Sequence, residues 1–310
     1  MAQRLLPPLL PGDAIGFISP AGPVTPEQVQ PGLDSLRRRG FERRIAPHAF
    51  ADHGMVSAPA AQRLQDWMDL LKDPRVKAIW AFRGGYGTIQ LLNRLDYAFL
   101  KKHPRLLIGF SDLTALQWAI LQKTGLPALS GLTVTSQVSE ENPFVEAGLE
   151  ILSGRRTCFT AEDFPPGEVQ IYREGRAAGL LVGGTLTMIN SLCGTPYFLR
   201  KKPLILFLED VNEPLYRIDR CFQQLNLLGF WPRVSGIILG KFLYRDEILD
   251  LLPLLLPLLP PGIPVIYNFP YGHFPHCCPL PLGVRARLST APLELVWERF
   301  INRIPGGQRT

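Results

Sequence analysis

The feature that most constrains this fold is an alternation through the first half of the chain. Mostly apolar runs at 14–19, 76–82 and 106–110, and a shorter, more polar strand at 42–46, are separated by stretches of helical composition. The apolar runs have the length and β-branched content of buried strands. The intervening stretches carry apolar residues at helical spacing. Helices are expected at 26–39, 60–72, 88–95, near Tyr97, and at 112–123, where Leu113, Leu116 and Ile120 fall on one face. Thr25-Pro26-Glu27-Gln28 has the form of an N-cap, a proline at the first helical position and a capping-box glutamine. A further strand at 126–130 and a helix opened by Asn142-Pro143 continue the pattern. Strand–helix–strand units of this size predict a mostly parallel sheet, with ligand-binding loops at the carboxyl ends of its strands.

At 154–176 the pattern gives way to Gly154, Pro165-Pro166-Gly167 and short polar stretches, the composition of an inter-domain linker. Beyond it, strands are expected at 177–182, 204–208, 234–239, 264–267, 284–288 and 293–296, with helices after Gly184, Glu213-Pro214 and Asp246. The division is therefore an N-terminal unit at 1–153, a linker at 154–176 and a C-terminal α/β unit at 177–310. A chain of 310 residues suits two domains, and 46% hydrophobic against 19% charged residues is a globular balance.

Composition also excludes several function classes. The net charge of +6 is spread over short groups such as Arg37–Arg39 and Lys201-Lys202, with no basic stripe interleaved with aromatics, which argues against a nucleic-acid partner. Residues 251–261 are rich in leucine but broken by Pro253 and Pro257, and are far shorter than the ~20 residues of a membrane span. Residues 1–11 lack the apolar core and cleavage site of a signal peptide. Five cysteines, an odd number in a long chain, form no disulfide framework. Buried free thiols in a reducing compartment, the cytoplasm, are the expectation.

Four stretches could carry chemistry. Ser111 lies where the strand 106–110 becomes a helix, in Gly109-Phe110-Ser111-Asp112-Leu113. A strand–turn–helix elbow exposes a serine hydroxyl beside the N–H groups of the helix start, yet serine is also a preferred helix cap. Arg83-Gly84-Gly85-Tyr86-Gly87 is a glycine-rich turn after a buried strand. It lacks the third glycine of a dinucleotide loop and the lysine of a P-loop. It can be an ordinary turn, or a loop whose backbone N–H groups approach an oxyanion. Glu209-Asp210 end an apolar strand before the helix at Glu213-Pro214, placed to orient a base or to complement a helix dipole. Gly272-His273 follows another strand, and His273 can be a base or a hydrogen-bonded loop histidine. His273-x-x-His276-Cys277-Cys278 lacks regular ligand spacing and a second cluster, so no metal is expected. Taken together, Ser111, Glu209 and His273 follow a chain order that hydrolases use for a triad.

In combination these stretches resemble the LD-carboxypeptidase family of serine peptidases, which includes muramoyltetrapeptide carboxypeptidases and microcin C immunity-type relatives. The likeness spans nearly the whole chain. It rests on Gly12-Asp13…Ser19-Pro20-Ala21-Gly22, Arg83–Gly87, Gly109-Phe110-Ser111-Asp112, Gly183-Gly184-Thr185, Leu208-Glu209-Asp210…Glu213 and Gly272-His273…Leu280-Pro281-Leu282-Gly283. The resemblance implies an N-terminal flavodoxin-like three-layer sandwich and a smaller C-terminal α/β domain, assembled as a homodimer without a cofactor. By the same resemblance Ser111 is the nucleophile, His273 its base and Glu209 the acid. The backbone N–H groups of Asp112 and Gly85 form the oxyanion hole. Arg83, at a strand end, is the candidate for binding the substrate carboxylate. The implied reaction is removal of the terminal D-Ala from murein tetrapeptides. The alternative is hydrolysis of peptidyl or aminoacyl sulfamoyl adenylates, for which an aromatic side chain would be expected to stack on adenine. Asn212, where the family often has glycine, and Cys277-Cys278 are departures.

Overall fold

The alternation becomes two sheets in the computed structural model, which describes residues 5–303. Residues 1–4 of the segment read against a signal peptide, and 304–310 of the C-terminal unit, lie outside that range. The first half runs β1 (Ala14–Ile18), α1 (Pro26–Arg38), β2 (Glu42–Ile45), α2 (Ala60–Lys72), β3 (Val76–Ala81), α3 (Tyr97–Lys102), β4 (Leu106–Gly109), α4 (Leu113–Thr124), β5 (Ala128–Ser130) and α5 (Phe144–Leu152). Its parallel strands lie in the order β2-β1-β3-β4-β5, the flavodoxin-like winding. In that winding the switch point falls between β1 and β3, where the 19–22 and 83–87 loops emerge together. β1 and β4 are buried at every residue, as strands of a doubly covered parallel sheet must be. α1 opens on the expected capping box of Thr25 and Gln28.

The second half runs β6 (Cys158–Thr160), β7 (Gln170–Arg173), β8 (Arg176–Thr185), α6 (Leu186–Ser191), β9 (Leu204–Val211), α7 (Leu215–Leu227), β10 (Val234–Tyr244), β11 (Glu247–Ile248), α8 (Leu252–Leu255), β12 (Val265–Tyr267), β13 (Leu280–Leu282), β14 (Val284–Thr290) and β15 (Leu293–Trp297). Parallel β8, β9, β10 and β12 form the centre of a nine-stranded sheet, flanked by antiparallel strands. β13 leaves this sheet and pairs antiparallel with β5, completing the first one. The two halves therefore share a sheet edge.

Three local expectations are corrected. The 154–176 stretch joins the two halves but is no bare tether, since β6 and β7 lie within it and extend the second sheet. The helix expected to run to Leu95 is only a 3₁₀ turn, Thr88–Leu91, whose first residue is held by Asp112 through its N–H and hydroxyl. The helix expected after Asp246 begins only at Leu252, as the short α8, because a hairpin comes first. Arg245 and Asp246 both have positive φ, at 52° and 65°, the signature of a tight turn between β10 and β11.

α4 is the contact between the halves. The sequence suggests one apolar face, but every residue from Leu113 to Leu121 is buried. A helix covered on all sides is a central one. Trp118 Nε1 donates to the Gly183 carbonyl at 2.8 Å, and the Thr185 N–H donates to Thr114 Oγ1 at 3.2 Å. Gly183 itself is packed against β9. A Cβ there would stand 1.8 Å from the Phe207 carbonyl oxygen, a backbone atom that cannot move aside. Gly183→Ala is therefore expected to cost about 3 kcal/mol, read as a lowered midpoint in chemical denaturation. An unchanged midpoint would refute this packing.

Candidate active site

Ser111 sits on the expected elbow. β4 ends at Gly109 with φ 147°, Ser111 has φ 69°, and α4 starts two residues later. A non-glycine residue in this region costs roughly 1–3 kcal/mol and persists only where the surroundings impose it. Ser111 is not the helix cap. The cap position is Asp112, with no side-chain capping bond, and the Ser111 hydroxyl turns away from the helix. Gly84 lies directly beneath it. A Cβ at Gly84 would come within 2.6 Å of Ser111 Cβ and 2.8 Å of Oγ, so only glycine leaves the serine its place.

The hydroxyl meets His273. Ser111 Oγ is 2.9 Å from His273 Nε2, and His273 Nδ1 is 2.7 Å from Glu209 Oε2. A carboxylate only accepts, so Nδ1 carries the proton and Nε2 is left to accept from Ser111. Glu209 lies fully buried at the end of β9, and its Oε1 accepts from the Thr185 hydroxyl at 2.5 Å. Gly272, with φ 140°, lets the loop after β12 pass close over this carboxylate. The Phe110 ring packs 4.5 Å from the imidazole, centroid to centroid, so the residue before Ser111 also holds its partner. Partial burial works against a charged imidazole. The charge of Glu209, the hydrogen bond to it and the charge of Asp210 outweigh burial and raise the His273 pKa above its usual 6.5. Asp210 points to the other side of β9, where its carboxylate accepts from the Thr187 N–H. Burial first, then the neighbouring Glu209, push its pKa up to about 7.

Beside the serine, the glycine turn is fixed by a second network. The buried Asp112 carboxylate accepts from the Thr88 N–H at 2.8 Å, and the Asp112 carbonyl accepts from the Thr88 hydroxyl at 2.6 Å. Burial raises the Asp112 pKa, opposed by the Thr88 and Gly87 donors and by the charge of Arg63. Arg63, only 2% exposed, donates to the carbonyls of Ala58, Pro20 and Gly87 and to Gln90 Oε1. It thus ties α2 to both loops at the switch point. Gly85, at φ 117°, lies against Gly22 on the open side of the turn. Arg83 is exposed beside Gly22 and Gly85 and makes no ion pair among the described residues.

The structure therefore joins Ser111, His273 and Glu209 in one hydrogen-bonded chain, with Asp112 and the glycine turn alongside and Arg83 at the rim. Sequence reasoning missed Thr185, Thr114, Thr88 and Arg63. Thr185 lay within a quoted motif, Gly183-Gly184-Thr185, but Arg63 had no local signal in the middle of α2. Among the described residues no group of three or more His, Cys, Asp and Glu could hold a metal ion. His276 is exposed while Cys277 and Cys278 are buried.

Comparison with known proteins agrees with this geometry in fold and family. The LD-carboxypeptidase N-terminal domain matches residues 15–131, and the LD-carboxypeptidase C-terminal domain matches 178–288. A probable murein peptide carboxypeptidase of Bacillus subtilis is 30% identical over 299 residues, covering 94% of this chain and 93% of that protein. Among solved structures, MccF in complex with glutamyl sulfamoyl guanosine superposes with a TM-score of 0.87 at 26% identity, over 96% of this chain and 99% of its own. The muramoyltetrapeptide carboxypeptidase of Oxalobacter formigenes does so with a TM-score of 0.79 at 28% identity, over 93% and 100%. With both of its domains matched in order and nearly its full length shared with such a relative, the chain belongs to the LD-carboxypeptidase family of hydrolases.

Proposed function

We propose that this protein is a serine carboxypeptidase that removes the terminal D-Ala of murein tetrapeptides, with Ser111, His273 and Glu209 as its triad. The observation that carries the reading is His273, bonded through one nitrogen to Ser111 and through the other to a buried carboxylate. Ser111 attacks the carbonyl between the L-configured centre and D-Ala while His273 takes its proton. The N–H groups of Asp112 and Gly85 receive the developing oxyanion. His273 then protonates the leaving D-Ala amine, and water, deprotonated by the same ring, releases the acyl group. Arg83, unpaired and forked, offers two donors to the substrate's terminal carboxylate. A homodimer acting in the cytoplasm goes with this reading; no helix among the described residues is long and apolar enough to cross a membrane.

The second reading, cleavage of sulfamoyl adenylates, draws on the likeness to MccF. Against it stand the tryptophans. All five, Trp67, Trp80, Trp118, Trp231 and Trp297, are at most 3% exposed, so none is free to stack on adenine. Tyr86, 47% exposed in the glycine turn, is the aromatic side chain nearest to such a role in sequence.

Two substrate incubations, a pH profile and three variants test the proposal. Incubation with murein tetrapeptide should release D-Ala, and Ser111→Ala should abolish it; undiminished release by the variant sinks the triad. A parallel incubation with an aminoacyl sulfamoyl adenylate decides between the two readings. His273 must be neutral to act as base, and its pKa is raised, so kcat/KM should fall on the acid side with a midpoint above pH 6.5. Glu209→Gln removes the charge that raises it and should move that midpoint to lower pH as well as slowing the reaction. Gly84→Ala should displace Ser111 and lower turnover about 100-fold, measured as initial D-Ala release; near-normal turnover would mean the serine does not react from this position.

A further inference from the structure

The hydrogen bonds that hold Ser111 close on themselves. Ser111 Oγ meets His273 Nε2, and His273 Nδ1 meets Glu209 Oε2, at 2.9 and 2.7 Å. Glu209 Oε1 accepts from the Thr185 hydroxyl at 2.5 Å. The Thr185 N–H donates to Thr114 Oγ1 at 3.2 Å, and the Thr114 N–H donates to the carbonyl of Ser111 at 2.9 Å. The circuit leaves the elbow, crosses to the second sheet, and returns along the helix that begins at the elbow. Thr185 is the residue at which it turns back. It ends β8, next to Glu209 on β9 in the parallel register, and is 5% exposed.

We propose that Thr185 is a positioning residue for the reaction: its hydroxyl fixes the Glu209 carboxylate and shares its charge, while its N–H ties that carboxylate to the helix that follows Ser111. This rests on the triad reading above. Glu209 presents one oxygen to His273 and the other to Thr185, so its rotamer is set from both sides. Without the hydroxyl, Oε1 loses its donor in a fully buried site. The carboxylate is then free to swing, and its charge leans on His273 alone, which holds the imidazolium more tightly. Turnover should fall and the acid limb should move up in pH, the opposite direction to Glu209→Gln. A threonine that merely filled space would lower stability and leave the limb where it was.

The other groups facing this site leave the comparison clean. Cys277 and Tyr271 lie within reach of the Glu209 charge. Burial first, and that charge with it, push the Cys277 thiol up to about 12 and the Tyr271 hydroxyl well above 10, so both stay neutral. Lys241 is engaged by Glu168 at 3.5 Å and by the Phe274 ring at 4.4 Å. Asp210 titrates in the assay range, but it is common to wild type and variants.

The test follows labelling of Ser111 by a fluorophosphonate, together with D-Ala release from tetrapeptide, against pH, in the full chain carrying Thr185→Val, Thr185→Ala or Thr185→Ser. The expected result is a plateau about tenfold lower and a limb displaced to higher pH for Val and Ala. KM should be little changed, and both properties restored by Ser. If Thr185→Val does not fold, Thr185→Ala, which adds no bulk, carries the same measurement. A wild-type plateau and limb in either variant overturns the proposal. So does a slowed enzyme with an unmoved limb that serine fails to restore. Wild-type protein that is labelled but releases no D-Ala overturns the substrate reading alone, and the labelling arm still decides on Thr185. Wild-type protein that is not labelled at all removes the triad and this inference with it.

Discussion

The hydrogen bond between Ser111 and His273 spans two sheets, and much of the architecture is explained by the need to keep it at 2.9 Å. The serine belongs to the six-stranded sheet and the histidine to a loop of the nine-stranded one. A hinge of a few degrees at the seam would separate them. The seam is accordingly built from shared parts. β13 comes from the C-terminal half but completes the N-terminal sheet, and α4 is buried by both halves. The Tyr271 hydroxyl meets Ser130 Oγ at 2.8 Å, and Gln137 Nε2 donates to the Gly272 carbonyl at 3.1 Å. These contacts pin the histidine loop to the first sheet just before His273.

Strain at the elbow has to be held by the same framework. Ser111 at φ 69° is unfavourable by itself, and the hydroxyl gains nothing from capping the helix. Three features offset this. The Ser111 carbonyl is used by α4, Phe110 packs against the imidazole, and Gly84 removes the side chain that would collide. The glycine turn is often read as flexible, but here only its outer part is open. Its far end is clamped by Asp112 and Arg63, with the guanidinium making all four of its hydrogen bonds to neutral oxygens. A charge buried this way depends on Asp112 for compensation through space. The residue after the serine thereby holds the N–H at the far end of the turn in fixed register with its own backbone.

The parallel sheet and the loops at its strand ends were legible in the sequence because each follows from local pattern, whereas Ser111, Glu209 and His273 stood out only in combination and through the family resemblance of their motifs. The 3₁₀ turn at 88–91 was not legible. Its composition is helical, and no local residue marks where the helical turns stop. The same holds for β6 and β7, short strands whose pairing partners lie over a hundred residues away in β15 and up to about a hundred away in β12. Local reading alone also leaves Ser111 open between cap and nucleophile, since serine before a helix is a preferred cap. What argues against the cap is spatial: a positive φ and a hydroxyl aimed at another domain.

Cys277 and Cys278 illustrate how a motif can mislead when its spacing is read without burial. In sequence they join His273 and His276 in what could be a ligand cluster. In space the four separate. His276 is exposed, His273 is committed to Glu209 and Ser111, and both thiols are fully buried. Cys277 lies against Gly131, in the loop leaving β5, and its thiol donates to the Cys278 carbonyl at 3.8 Å. It thereby packs the loop that carries His273 against the loop leaving β5. A residue that looks like chemistry in the sequence contributes instead to the spacing on which the Ser111–His273 contact depends.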